Sequence, residues 1–255
     1  MDIFPSSDHP LIRVEELRQH FGTQEVLKGI SLNVEAGETL VLLGRSGGGK
    51  SVFLRHLIGL IRPASGKIFI DGEEISSLTE RQLEPIRRKI GMLFQDGALF
   101  DSMNVFENVA FPLRESGEKN SRIIEEKVAN ALELVSLTGH DEKMPVNLSG
   151  GMRKRVALAR AVISQPTCIL YDEPTAGLDP IVCDTINRLI RRLQEQLGMT
   201  SIVVTHDMRS ANQIADRIVL LHDGKIHFLG SLKEFHASKD PLLLDFIHGR
   251  SHEIE

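Results

Sequence analysis

Apolar positions along the chain alternate between two regimes. Short runs at Leu11–Leu17, Gly29–Val34, Thr39–Leu43, Lys67–Ile70 and Ile90–Phe94 predict strands. A glycine-rich loop after the third run leads into a predicted helix, Lys50–Leu60. Between about residues 96 and 165 the pattern becomes helical, with Ile123, Ile124, Val128, Ala131, Leu132 and Val135 at helical spacing. Ser149 is placed to cap a helix running through Arg160 to about Ser164, and Pro166 marks its end. Alternation then resumes: strand Thr167–Tyr171, helix Ile181–Leu197, strand Ser201–Thr205, helix Met208–Ala215 and strand Ile218–Leu221. A turn at His222-Asp223-Gly224-Lys225 carries the Asp-Gly hairpin signal. Pro241–His248 reads as a short amphipathic helix ahead of a polar tail.

Such alternation predicts an α/β fold with a largely parallel sheet covered by helices on both faces. The helical stretch is then an insertion between sheet elements. Composition narrows the class. The chain has 255 residues, a net charge of −5 and 41% hydrophobic residues, which suits one large α/β domain with an inserted subdomain. Mild acidity argues against nucleic acid as the main partner. Cys168 and Cys183 form no CxxC pair, so neither a disulfide framework nor a zinc site is expected. Cys168 sits in an apolar run, as a buried small hydrophobe does. Met1–Pro10 lacks the apolar core of a signal peptide, and no stretch is long and apolar enough to span a membrane. The expectation is a cytoplasmic protein that docks on a membrane partner if it works at a membrane.

Gly44-Arg45-Ser46-Gly47-Gly48-Gly49-Lys50-Ser51 matches GxxxxGK[ST] in full. Phosphates need backbone N–H groups crowded around them, and a loop poor in β-carbons allows this. The helix beginning near Lys50 points its positive end at the same anion. Lys50 is the candidate point charge for the β- and γ-phosphates, and the Ser51 hydroxyl can ligate Mg²⁺. Further on, an apolar strand ends in Asp172-Glu173. Asp172 is the candidate Mg²⁺ holder, and Glu173 the candidate general base for the attacking water. Gln95 and His206 each follow a strand, placed to sense the metal or the γ-phosphate and to steady developing charge.

Leu148-Ser149-Gly150-Gly151-Met152 resembles the LSGGQ signature of ABC ATPases. With it, the order of motifs resembles that family from about residue 11 to 230: Walker A at 44–51, Gln95, signature at 148–152, Walker B at 168–173, D-loop at Ala176–Asp179 and switch histidine His206. The resemblance implies a RecA-like P-loop core (about 8–95 and 166–230) with N-terminal antiparallel β elements, a helical signature subdomain (about 96–165) and a C-terminal helical tail (about 231–255). It implies ATP and Mg²⁺ as ligands, with Gln95 also at the metal. It further implies a head-to-tail homodimer in which Ser149, Gly150 and Gly151 reach the γ-phosphate held by the other subunit and Asp179 sits across the interface. Phe21 matches the position of the ring under the adenine, and a core phenylalanine is the other reading of it. Met152 departs from the usual signature glutamine; the serine and glycines that bind phosphate are kept.

The passages Phe94–Glu115 and Ser149–Ala161 resemble the ATPase subunit of Mla/MCE-type lipid transporters, the MlaF-like group. That resemblance implies phospholipid transport between inner and outer membranes. The implied partners are an MlaE-like permease, an MlaD-like MCE-domain protein and, as an option, a small MlaB-like regulatory subunit, with the ATPase on the cytoplasmic face of the inner membrane. Leu99 and Phe100, just after Gln95, are placed to grip a permease helix. The rival within the family is an importer ATPase for another small solute. A DNA-repair or chromosome-organising ATPase would need a coiled-coil insertion or zinc modules, and a translation factor would need two cassettes. The basic run Arg153-Lys154-Arg155 reads as a solvated face of the signature helix, as do Arg87-Arg88-Lys89 and Arg191-Arg192.

Overall fold

The structure is a computed structural model and describes residues 9–249. The N-terminal residues before His9 and the polar tail after Gly249 lie outside the described residues. In chain order the strands and helices are β1 (Ile12–Phe21), β2 (Gln24–Val34), β3 (Thr39–Gly44), α1 (Lys50–Leu57), β4 (Ser65–Ile70), β5 (Glu73–Glu74), α2 (Glu80–Arg88), β6 (Ile90–Leu93), α3 (Val105–Glu115), α4 (Ser121–Leu134), α5 (Gly150–Val162), β7 (Cys168–Asp172), α6 (Pro180–Leu197), β8 (Thr200–Thr205), α7 (Met208–Ile214), β9 (Arg217–His222), β10 (Lys225–Ser231), α8 (Leu232–Ala237) and α9 (Pro241–His248). The chain divides into two compact units, residues up to Leu83 with those from Ile202 onward, and Glu84–Ser201.

The first unit holds an antiparallel sheet in the order β2-β1-β4-β5. Ile12 pairs with Val34 on one side and Ile70 on the other. Ile12 and Val14 point inward, but the alternation then slips and resumes at Leu17. Glu16 takes up the extra residue at φ 47, with register shifts on both neighbours, so this is a bulge that returns Leu17 to the core. The same unit contains strands in the order β10-β9-β3-β8. β3 runs parallel to β9, and all six of its residues are buried. Burial on both faces is why Thr39–Gly44 shows a continuous apolar run rather than alternation. Asp223 and Gly224, both with positive φ, close the β9–β10 hairpin.

In the second unit β6 and β7 pair in parallel, from Ile90↔Cys168 to Leu93↔Tyr171. Helices α3, α4 and α5 pack on one another. α3 opens with a full capping box between Asn104 and Glu107. Ile124, Val128, Ala131, Leu132 and Val135 are buried as their spacing predicts, whereas Ile123 is 37% exposed and faces away. Cys168 is buried, and desolvation pushes its thiol up to about 12. Among the described residues no helix is long and apolar enough to cross a membrane.

Four elements escaped the sequence pattern: β5, α2, β10 and α8. α2 contains Pro85 and only two buried apolar residues, Leu83 and Ile86. α1 stops at Leu57, short of Leu60, because Gly59 turns the chain at φ 64.

Candidate nucleotide site

The phosphate loop lies in the first unit between β3 and α1. Gly47 and Gly49 both take positive φ, at 78° and 90°. A β-carbon on Gly49 would come within 2.9 Å of Leu27 Cδ2, so both conformation and space demand glycine there. Gly49 caps α1, leaving the first N–H groups of the helix directed at the loop without a side-chain cap. Lys50 is buried, and its ammonium donates to the carbonyls of Gly44 at 2.8 Å and Arg45 at 3.1 Å. The loop thus has an anion cradle whose lysine is already folded over it. Ser51 is half-buried on the first turn of α1.

His206, just past β8, is exposed. Together with Arg45 it lines a cavity of about 170 Å³ whose other walls include Leu242, Asp245 and Phe246 of α9. The C-terminal helix therefore packs on its own cassette beside the phosphate loop, with Leu243 buried. Phe21, at the end of β1, is 48% exposed. The core-phenylalanine reading of it is thereby corrected: about half of the residue faces solvent.

The acidic residues lie in the second unit. β7 is buried throughout and ends at Asp172, itself buried. The next residue, Glu173, holds φ 49, a left-handed conformation that costs a glutamate about 1–3 kcal/mol. Its carbonyl receives the N–H of Ala176 at 3.2 Å, so the turn after the strand fixes its direction. Gln95 is exposed at the end of β6, the strand paired with β7.

Ser149 is the N-cap of α5, its Oγ accepting the Met152 N–H at 3.3 Å. Gly151 is buried against Val182 of α6, and a β-carbon there would overlap the Val182 side chain. Asp179 caps α6, accepting from Ile181 N–H at 3.0 Å and Val182 N–H at 3.1 Å. The D-loop acid thus has a structural task within its own chain.

The basic run after the signature is the main correction. Lys154 is only 6% exposed, and its ammonium donates to the carbonyl of Gln95 and, at 3.3 Å, to that of Glu173. Arg153 reaches the Leu148 carbonyl at 3.0 Å, and Arg155 the Ser136 carbonyl at 3.0 Å. Arg160 clamps Gly97 and Ala98 through their carbonyls at 2.8 and 2.7 Å. Each of these cations satisfies a backbone carbonyl; Lys154 is the buried one, whereas Arg153 stays exposed and Arg155 and Arg160 half-buried. By contrast Arg88, Arg191 and Arg192 pair with Glu84, Glu195 and Gln196 on exposed helix faces, as solvated faces do. Asn108 was also missed. It is fully buried, and its amide donates to Phe100, Met103 and Asn104 carbonyls while accepting the Phe100 N–H. An asparagine inside an otherwise apolar helix face was the available signal.

The family model of the ABC transporter matches residues 27–176, and the chain belongs to that family. Its fold is the ABC ATPase nucleotide-binding domain, mixed α/β with an antiparallel and a parallel sheet, and the chain is an ATPase of that kind that binds ATP. It is 43% identical to the probable ribonucleotide transport ATP-binding protein mkl of Mycobacterium leprae, over 94% of this chain and 69% of that protein. It is 42% identical to the intermembrane phospholipid transport system ATP-binding protein MlaF of Escherichia coli K12, over 89% of this chain and 85% of that protein. The methionine import ATP-binding protein MetN of Mesorhizobium japonicum is 43% identical over 87% of this chain and 60% of its own length. Among solved structures, the ATP-binding cassette MJ0796, dimeric in a post-hydrolysis state with ADP and Pi, superposes with a TM-score of 0.80 at 33% identity, covering 87% of this chain and 98% of that one.

Proposed function

We propose that this chain hydrolyses ATP as a homodimer on the cytoplasmic face of the inner membrane and energises phospholipid movement between inner and outer membranes through a separate permease. The observation that carries the lipid assignment is the likeness to MlaF along 85% of that protein's length. In this reading the loop Gly44, Arg45, Ser46, Gly47, Gly48, Gly49, Lys50 and Ser51 binds the phosphates, and Phe21 stacks on the adenine. Ser149, Gly150 and Gly151 present a capped helix N-terminus to the γ-phosphate on the other subunit, with Asp179 at the same interface. Glu173 takes the proton of the attacking water, Gln95 orients that water, and His206 steadies the charge that develops on the phosphate.

In this reading Ser51, Gln95 and Asp172 would hold Mg²⁺; a hydroxyl, an amide and a carboxylate are donor types that suit an ion that keeps several waters and shares substrate oxygens. When bound, Mg²⁺ supplies neutralisation of the phosphate charge. The helical segment at about 96–165 acts as the signature subdomain. Its loop at Leu99 and Phe100 is the docking point for an MlaE-like permease, which also carries an MlaD-like protein and, in some assemblies, an MlaB-like subunit. Phe100 is 40% exposed, with its ring 4.8 Å from that of Phe111 and the Arg160 guanidinium 5.9 Å away. A supported yet accessible aromatic of this kind is what an interface anchor requires.

A second reading, an importer ATPase for another small solute, draws on the 43% identity to MetN, beside 42% to MlaF. The test is to tag the chain, extract membranes in mild detergent and identify what co-purifies by mass spectrometry. A multi-spanning permease with an MCE-domain protein and phospholipid supports lipid transport. A solute-importer permease in their place overturns it and leaves the ATPase chemistry standing.

A further inference from the structure

Lys154 is an ammonium in a place that does not welcome one. Burial lowers its pKa, and Asp96, Asp172 and Glu173 counter by favouring the charged form. A buried charge is retained only where its donors are satisfied. Here the acceptors are two backbone carbonyls, of Gln95 and Glu173. Each follows one strand of the parallel β6–β7 pair, so one side chain on α5 ties together the ends of two strands. Further along α5, Arg160 grips Gly97 and Ala98 in the same way. Through these two carbonyls Lys154 fixes where the backbones of Gln95 and Glu173 sit, while its charge also attracts the Glu173 carboxylate.

We propose that Lys154 is a positioning residue for ATP hydrolysis, holding the backbones of Gln95 and Glu173 at a fixed separation so that their side chains converge on the attacking water. This rests on the roles given above to Gln95 and Glu173. Ser149 caps the same helix, so a γ-phosphate engaged at that end acts on a rod that also carries the Gln95–Glu173 tie. Displacing catalytic groups by about 1 Å can cost on the order of a hundredfold in rate.

The experiment compares Lys154→Met, Lys154→Arg and Glu173→Gln in the full chain, reading kcat, ATP KM and Tm. Lys154→Met keeps the length and apolar stem and removes the donor. It is expected to lower kcat by about ten- to a hundredfold, with ATP KM and Tm near wild type, and Lys154→Arg is expected to recover most of the rate. A Lys154→Met enzyme with wild-type kcat, beside an inactive Glu173→Gln, overturns the proposal. So does a loss that comes with a lower Tm and a raised KM and that arginine does not repair, since that is a role in the fold alone. Should Lys154→Met fail to fold, Lys154→Gln replaces it, with kcat expected well below that of Lys154→Arg at equal Tm; equal rates overturn the proposal. Wild-type hydrolysis by Glu173→Gln would instead remove the underlying assignment of Glu173, whatever Lys154→Met does.

Discussion

The Asn108 side chain bonds the backbone of Phe100 in both directions, accepting its N–H at 2.8 Å and donating to its carbonyl at 3.0 Å. Two further bonds, to the Met103 and Asn104 carbonyls, make the amide the organiser of the loop that carries Leu99 and Phe100. Replacing it by leucine removes the side-chain partners of the Phe100 N–H and the Met103 carbonyl, while the Phe100 and Asn104 carbonyls keep the backbone N–H groups of Met103 at 3.1 Å and Asn108 at 3.0 Å. Asn108→Leu is expected to lower unfolding stability by about 2–4 kcal/mol, measured by urea denaturation. It is also expected to weaken co-purification of the permease, because the docking loop loses its support.

Leu99 and Phe100 are assigned to docking and not to chemistry, so their effects separate. Phe100→Asp and Leu99→Asp are expected to leave the ATPase rate of the purified subunit within about twofold and to abolish recovery of the permease, a hot-spot loss of about 2 kcal/mol or more. Normal recovery of the permease with both variants would refute the assignment.

Glu173 is held by a strained backbone at the end of a fully buried strand. Glu173→Gln keeps shape and hydrogen bonding while removing the base. The rate is expected to fall by about 10²–10⁴-fold with ATP binding retained. Size-exclusion chromatography with ATP should then show an accumulated dimer, since in the proposed assembly the nucleotide joining the subunits is no longer consumed.

Asp179 has two tasks assigned to it, a helix cap seen within the chain and an interface contact inferred for the dimer. Substitution by alanine and by asparagine tells them apart. Asp179→Ala is expected to cost about 1 kcal/mol of stability, and Asp179→Asn only a few tenths, because asparagine caps as well. An interface role for the carboxylate lowers ATPase activity in both variants. Wild-type activity in Asp179→Asn would confine the residue to capping.

Much of the fold was legible because its elements announce themselves locally. Thr39–Leu43 is an almost unbroken apolar run because β3 is covered on both faces, and Gly49 stands where both φ and space demand glycine, Gly47 where φ does and Gly44 where space does. The hairpin at Asp223-Gly224 and the cap at Ser149 are likewise properties of a few adjacent residues. What could not be read depends on distant partners. Arg153-Lys154-Arg155 has the composition of a wet helix face, and only the fold places carbonyls of Gln95, Glu173 and Ser136 at its side chains. Ile123 has helical spacing yet lies outside the stripe set by Ile124 and Val128. α2 is obscured by Pro85 and by its charges. Phe21 was ambiguous in sequence because stacking and core packing ask for the same ring, and its exposure speaks against core packing alone.

The most direct test of the account is ATP-driven transfer of a labelled phospholipid by the reconstituted transporter, comparing wild type with Glu173→Gln. The expected result is transfer that requires ATP and Mg²⁺ and stops in the variant, in step with loss of hydrolysis. Hydrolysis by the wild-type assembly with no phospholipid moved, or transfer at the same rate in Glu173→Gln, would contradict it.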